Sequence, residues 1–238
     1  MCIRDSAWGL LKGELSIHYW AKGKSDITPF YPPLYPLLIL IFYKIIGSWI
    51  IAAKAVNIIF GGLLLYPIYL LARRMFGVET ALYASALLVP FPILLELSSN
   101  VYNEPTFLFC LAFAIYFLYL LIEDQKFKWA ILTGLLLGLS YLAKTNGIIG
   151  IICIALSLIW FWIFTQKLSF QRIFIYFLSI LIIFGALTLP YDLYCYKKNG
   201  IYMLRPRQEF FKKGYKRKED IKWFIKERTL NKDAEKLE

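Results

Sequence analysis

Six long stretches without a charged side chain limit what this chain can become. They are Ala55–Ala72, Thr80–Leu95, Pro105–Ile122, Trp129–Ala143, Thr145–Gln166 and Ile173–Tyr191. A bilayer core about 30 Å thick takes a helix of roughly 20 mostly apolar residues. With short flanks the six stretches become spans near 49–71, 79–97, 103–122, 129–145, 146–166 and 172–191. They are continuously apolar and do not alternate with polar residues, so they read as helices and not as barrel strands. Every backbone N–H and C=O in lipid needs an internal partner, which a helix supplies within itself. The predicted fold is therefore all-α, a polytopic transmembrane helix bundle of about six spans. The chain is 59% hydrophobic and 18% charged, against about half and a quarter for a soluble domain. A water-soluble fold is thereby set aside.

Ahead of the first span lies Tyr31-Pro-Pro-Leu-Tyr-Pro36, followed by the short apolar stretch Leu37–Gly47, which contains Lys44. That length suits an interfacial helix near 33–47 better than a span. Arg73, Arg74, Lys126, Lys128, Lys167 and Arg172 fall in alternate loops, whereas the other loops hold only Lys144. Basic residues mark the cytoplasmic side. The Tyr31 loop, residues 98–104, residues 144–147 and the segment 192–238 then face outward. The expected location is a cell (plasma or inner) membrane, crossed several times.

Residues 1–6, Met-Cys-Ile-Arg-Asp-Ser, resemble a translated sequencing adapter and are set apart as a scar. Residues 7–32 then read as a fragment of an outer loop, 33–191 as the membrane domain, and 192–238 as a basic tail that continues further. The natural protein is expected to begin upstream. The net charge is +11, and the tail contributes 14 Lys/Arg against 8 Asp/Glu. Tethered to a membrane, such a tail meets lipid phosphate rather than nucleic acid. The four cysteines show neither a disulfide framework nor metal-ligand spacing, and His18 is the single histidine. No nucleophile elbow, zinc-protease signature, P-loop or dinucleotide fingerprint occurs.

The polar features that an apolar bundle does not need lie in the outward loops. Asn103-Glu104-Pro105 opens a span. The simple account is an acidic helix start, favoured by the dipole and by free N–H groups. The functional account is a carboxylate at the membrane surface that orients a polar acceptor or a metal. Lys144, in Leu142-Ala-Lys-Thr-Asn-Gly147, is either a snorkelling lysine or a point charge for a phosphate. Arg205 and Arg207 are either a solvated basic loop or a second phosphate contact.

In order along the chain, Ala7…Leu10-Leu-Lys-Gly13, Tyr31-Pro-Pro-Leu-Tyr-Pro36, Tyr69-Leu-Leu-Ala-Arg-Arg-Met-Phe-Gly77, Asn103-Glu-Pro105, Gly134-Leu-Leu-Leu-Gly-Leu-Ser-Tyr-Leu-Ala-Lys144 and Leu189-Pro-Tyr191 resemble the GT-C superfamily of membrane glycosyltransferases. The nearest likeness is to the protein O-mannosyltransferase and aminoarabinose-transferase-like group. The resemblance implies a polyprenyl-phosphate sugar donor bound at the outer face and transfer of its sugar, with inversion, to an acceptor. It implies a catalytic Asp several residues upstream of Ala7, with Glu104 as a supporting carboxylate. Tyr31, Pro33, Asn103 and Lys144 would be substrate contacts, and Arg205 and Arg207 join them on their charge alone. At Tyr31 some members carry Lys for the donor phosphate, so this chain departs from them there. A divalent metal is the one cofactor the scheme admits, as an alternative to Lys or Arg at the leaving phosphate. Membrane lipids are the remaining partner. As written, the chain is expected to be inactive in transfer. A lipid or sugar transporter or flippase, and a non-catalytic assembly subunit, are the competing readings.

Overall fold

The structure is a computed structural model that describes residues 17–21, 24–28, 32–165 and 169–199. Its first feature is an antiparallel hairpin, β1 (Ile17–Ala21) and β2 (Lys24–Thr28), with Ile17 opposite Thr28 and Ala21 opposite Lys24. The rest of the described chain is helical. The helices are α1 (Leu34–Ile46), α2 (Trp49–Leu63), α3 (Leu65–Phe76), α4 (Val78–Leu88), α5 (Pro92–Ser99), α6 (Glu104–Asp124), α7 (Phe127–Ala143), α8 (Ile148–Thr165) and α9 (Phe170–Asn199). A 3₁₀ turn, Thr145–Gly147, joins α7 to α8.

Each of the six apolar stretches falls mainly on these helices, as far as its residues are described. Four helical segments are long and apolar enough to cross a bilayer: Trp49–Phe76, Glu104–Asp124, Thr145–Phe164 and Phe170–Lys197. The stretch expected as one straight span near 79–97 is instead two helices, α4 and α5, bent by 60°. The cause is local: Pro90 and Pro92 each remove an N–H and crowd the preceding turn. Counted as one broken span, the pair gives five. The sixth, α7, has 17 residues and is about 25 Å long, just under a bilayer core. Pro67 interrupts the first span in the same way, separating α2 from α3 at Leu64. The last helix runs past the expected end at 191 to Asn199, with Pro190 inside it.

At 13 residues α1 is too short to span. Tyr35, Pro36, Ile39 and Leu40 are buried, while Leu37, Ile41 and Ile45 are exposed. Apolar on both faces, it suits the boundary between bundle and lipid. It ends at Gly47, whose φ of +78° is natural only for glycine, and its N–H closes on the Tyr43 carbonyl. Tyr43 then stacks on Trp49 at 3.6 Å, which fixes the corner between α1 and α2.

The main core lies among α6, α7, α8 and α9. Ala114, Leu118 and Leu121 of α6 meet Leu137 and Tyr141 of α7, Ile154 and Leu158 of α8, and Ile180 and Phe184 of α9. A smaller core joins α1 to α2 through Tyr35, Ile39, Ala52, Ala53 and Val56. Large apolar side chains cover the outside, Leu87 at 73% and Trp160 at 64% exposure among them. A water-soluble monomer does not show so continuous an apolar belt. It is the surface a lipid bilayer covers.

Close helix contact at the top of α7 depends on small residues. A Cβ at Gly134 would lie 2.9 Å from the Ile180 carbonyl oxygen, and one at Gly147 would lie 2.6 and 2.7 Å from the backbone N and Cα of Tyr141. Backbone cannot rotate away as a side-chain tip can. Gly147→Ala should therefore destabilise the protein by about 1–3 kcal/mol, seen as a lower unfolding temperature in detergent. Gly62→Ala, where a Cβ meets nothing within 4 Å, should leave that temperature at or above the wild-type value.

Candidate functional site

Helix ends are where a membrane bundle runs short of hydrogen-bond partners, because each leaves up to four backbone groups unpaired. The start of α6 and the end of α7 lie side by side and are tied by two side-chain bonds. Asn103, at the N-cap of α6, makes no side-chain cap to its own helix. Its Nδ2 donates instead to the Ala143 carbonyl at 2.9 Å. One residue further on in each segment, Lys144 Nζ donates to Glu104 Oε1 at 2.6 Å, an ion pair with both side chains under a third exposed. Each charge suits its helix: the carboxylate stands at an N-terminus and the ammonium at a C-terminus. Pro105, buried in the first turn, fixes the start of α6. Lys144 is held from both sides by the turn, since its N–H bonds the Ser140 carbonyl and its carbonyl accepts from Gly147.

Two further groups gather at this end. Tyr141, one turn before Lys144 on α7, donates its hydroxyl to Asp192 of α9, with 3.0 and 3.1 Å to the two carboxylate oxygens. Tyr141 is buried and packs edge-on against Phe184. The second group lies under α1. Asn57, buried in mid-α2, donates Nδ2 to the Asn100 carbonyl in the loop before α6. Tyr35 of α1 sets its hydroxyl beside the Asn57 side chain. Burial is the main cause that pushes the Tyr35 phenol upward; the Asn57 side chain acts against it, and the charge of the nearby Glu104 adds to it.

The opposite end of the bundle is basic. Arg74 pairs with Glu123 at 3.8 Å, and Arg172 donates to Gln125 at 3.1 Å. Tyr176 ties the Gln125 carbonyl at 2.7 Å and Trp129 binds Asp124 at 3.0 Å. Three of the loops read as lying on one side from their Lys/Arg content thus meet at one end, around α6–α7 and the start of α9.

Of the residues expected at the site, the structure brings Asn103, Glu104 and Lys144 into contact through these bonds. Pro33 caps α1, two residues ahead of Tyr35. Tyr31, Arg205 and Arg207 lie outside the described residues, as does the side chain of His18. The sequence reading missed Tyr35, Asn57, Tyr141 and Asp192. Asn57 and Asp192 carried a usable signal, a lone polar side chain within or just past an apolar stretch. Tyr35 and Tyr141 carried none, since an aromatic residue in such a segment looks like core. Among the described residues no three His, Cys, Asp or Glu side chains converge, and Lys144 already holds one oxygen of Glu104. These side chains do not make a divalent-metal site by themselves.

A lipid-facing helical bundle with a paired carboxylate and ammonium at one end is an integral, multi-pass membrane protein with a polar site at the membrane boundary. A profile of the dolichyl-phosphate-mannose-protein mannosyltransferase family matches residues 31–190, well over half of the 238 residues. The chain belongs to that family, and so to the membrane glycosyltransferases of GT-C type. The match spans α1 to the end of the apolar part of α9 and takes in Tyr35, Asn57, Asn103, Glu104, Tyr141 and Lys144, but not Asp192. No curated protein and no solved structure matches the chain significantly.

The energetic weight of the charged pair can be measured directly. In a double-mutant cycle of Glu104→Gln and Lys144→Met, the coupling energy from detergent unfolding should be about 1–3 kcal/mol. A cycle on the exposed Arg74–Glu123 pair should give less than about 1 kcal/mol.

Proposed function

We propose that this protein moves a sugar from a polyprenyl-phosphate carrier to an acceptor at the outer face of the membrane. The observation that carries the reading is the Glu104–Lys144 pair, set at one end of the bundle in a chain of this family. The basic residues at the opposite end support the outward orientation of that site by the positive-inside rule. The family's printed name speaks for a lipid-linked sugar as donor.

The chemistry asked of the protein is modest, because a sugar phosphate is already activated. The acceptor heteroatom attacks the anomeric carbon and forms the new glycosidic bond. The bond from that carbon to the phosphate oxygen breaks, and its electron pair leaves with the phosphate. The acceptor proton goes to a general base, which the family resemblance assigns to an Asp upstream of Ala7. Lys144 has three N–H donors, of which Glu104 takes one. The others are free to meet the growing charge on the departing phosphate, where a prepositioned donor is worth most. Glu104 keeps the ammonium in place before substrate arrives. Tyr31 and Pro33 are assigned to donor contacts on the resemblance, Arg205 and Arg207 to its phosphate on their charge, and the apolar surfaces of α1, α2 and α9 to the lipid tail.

The test is transfer from polyprenyl-phosphate-mannose by the protein expressed from its full reading frame. Lys144→Met should lower kcat by about 10²–10³-fold, and Glu104→Gln should lower it with little change in KM. Undiminished transfer by both variants would remove the pair from the reaction. Movement of the lipid across liposomes with no transfer at all would favour a flippase.

A further inference from the structure

Four buried side-chain oxygens have no hydrogen-bond partner among the described residues: Tyr35 Oη, Asn57 Oδ1, Glu104 Oε2 and Thr106 Oγ1. Native proteins pair the large majority of such atoms, so a group of them asks for a cause. All four come from helices that pack together, since α1 rests on α2 and α7, and α2 rests on α6, which carries both Glu104 and Thr106. Tyr35 and Asn57 are 1% and 0% exposed. Asn57 is fixed by the bond from its Nδ2 to the Asn100 carbonyl, which leaves its oxygen for something else. Lys144 fixes Glu104 by Oε1 in the same way, leaving Oε2.

The chemistry of the set selects its ligand. Asn57 Oδ1 and Glu104 Oε2 can only accept, whereas Tyr35 Oη can donate and accept. A phosphodiester brings acceptors alone and would face a carboxylate. An ammonium brings donors alone, and Lys144 already fills that role. A hydroxyl group does both: it donates to one of the two acceptors and accepts from the phenol. The Glu104–Lys144 pair, which bears one of these acceptors, is partly exposed.

We propose that Tyr35, Asn57 and the unshared oxygen of Glu104 form a subsite for a hydroxyl of the sugar on the lipid-linked donor. The inference rests on the donor assignment made above. It gives α1 a task beyond lying at the interface, because its buried tyrosine reads the sugar while the charged pair meets the phosphate. The same atoms could take a hydroxyl from a water molecule, and the experiment separates the two sources.

The full chain in nanodiscs is titrated with polyprenyl-phosphate-mannose and, separately, with bare polyprenyl phosphate. Wild type should bind the mannosylated lipid more tightly. Tyr35→Phe and Asn57→Leu, which keep the packing volume, should each cut that preference by about 3–10-fold and leave affinity for the bare lipid unchanged. An unchanged preference in both variants would overturn the subsite and assign the oxygens to internal water. Equal loss of affinity for both lipids would also overturn it, since the residues would then be supporting the fold. If wild type bound neither lipid, the donor assignment itself would fail, and the subsite with it.

Discussion

The site depends on two helix ends being placed together so that each completes the other. The first N–H groups of α6 and the last carbonyls of α7 have no partner within their own helices. Asn103 gives its amide to the Ala143 carbonyl, and Glu104 takes the ammonium of Lys144. One pair is neutral and the other charged, and they are adjacent in sequence on both sides. A slip of either helix by one residue would break both at once. This register sets where a carboxylate and a lysine stand at the membrane boundary, and the proposed chemistry follows from it.

Packing supplies that register. Gly134 brings α7 onto the backbone of α9 at Ile180, and Gly147 folds the turn after Lys144 back onto Tyr141. Tyr141 in turn binds Asp192, so α7 and α9 are joined at this end by a polar contact as well as by apolar packing. At the far end, Arg74 with Glu123 and Arg172 with Gln125 tie the neighbouring helices in a more exposed setting, where ion pairs contribute little. The two ends therefore differ in kind: the basic end is a set of surface contacts, and the other is a half-buried network.

Much of this was legible in the sequence, because lipid makes a strong and simple demand. A run such as Pro105–Ile122 can be little other than a helix, and the structure places α6 at Glu104–Asp124. Asn103, Glu104 and Lys144 were singled out as polar residues at span ends, and contact between them follows once α6 and α7 are antiparallel neighbours. The bend between α4 and α5 was written in Pro90 and Pro92, yet a hydropathy window averages over it. The site's depth was not legible. Tyr35 and Tyr141 match the composition of a core, and only the fold shows that their hydroxyls meet Glu104's surroundings and Asp192. Asp192 follows the Leu189-Pro-Tyr191 motif directly and looked like the start of a polar tail, because nothing local says that α9 continues to Asn199.

The central claim is that the end of the bundle bearing Glu104 and Lys144 is where a lipid-linked phosphate is held. A cryo-electron microscopy structure of the protein, from its full reading frame, in nanodiscs with polyprenyl phosphate tests it most directly. The account predicts phosphate density within ion-pair distance of Lys144 Nζ, about 4 Å, with the polyprenyl chain running along the face of α1. Phosphate density at the Arg74–Arg172 end, or a lipid bound with Lys144 still engaged only by Glu104, would contradict it.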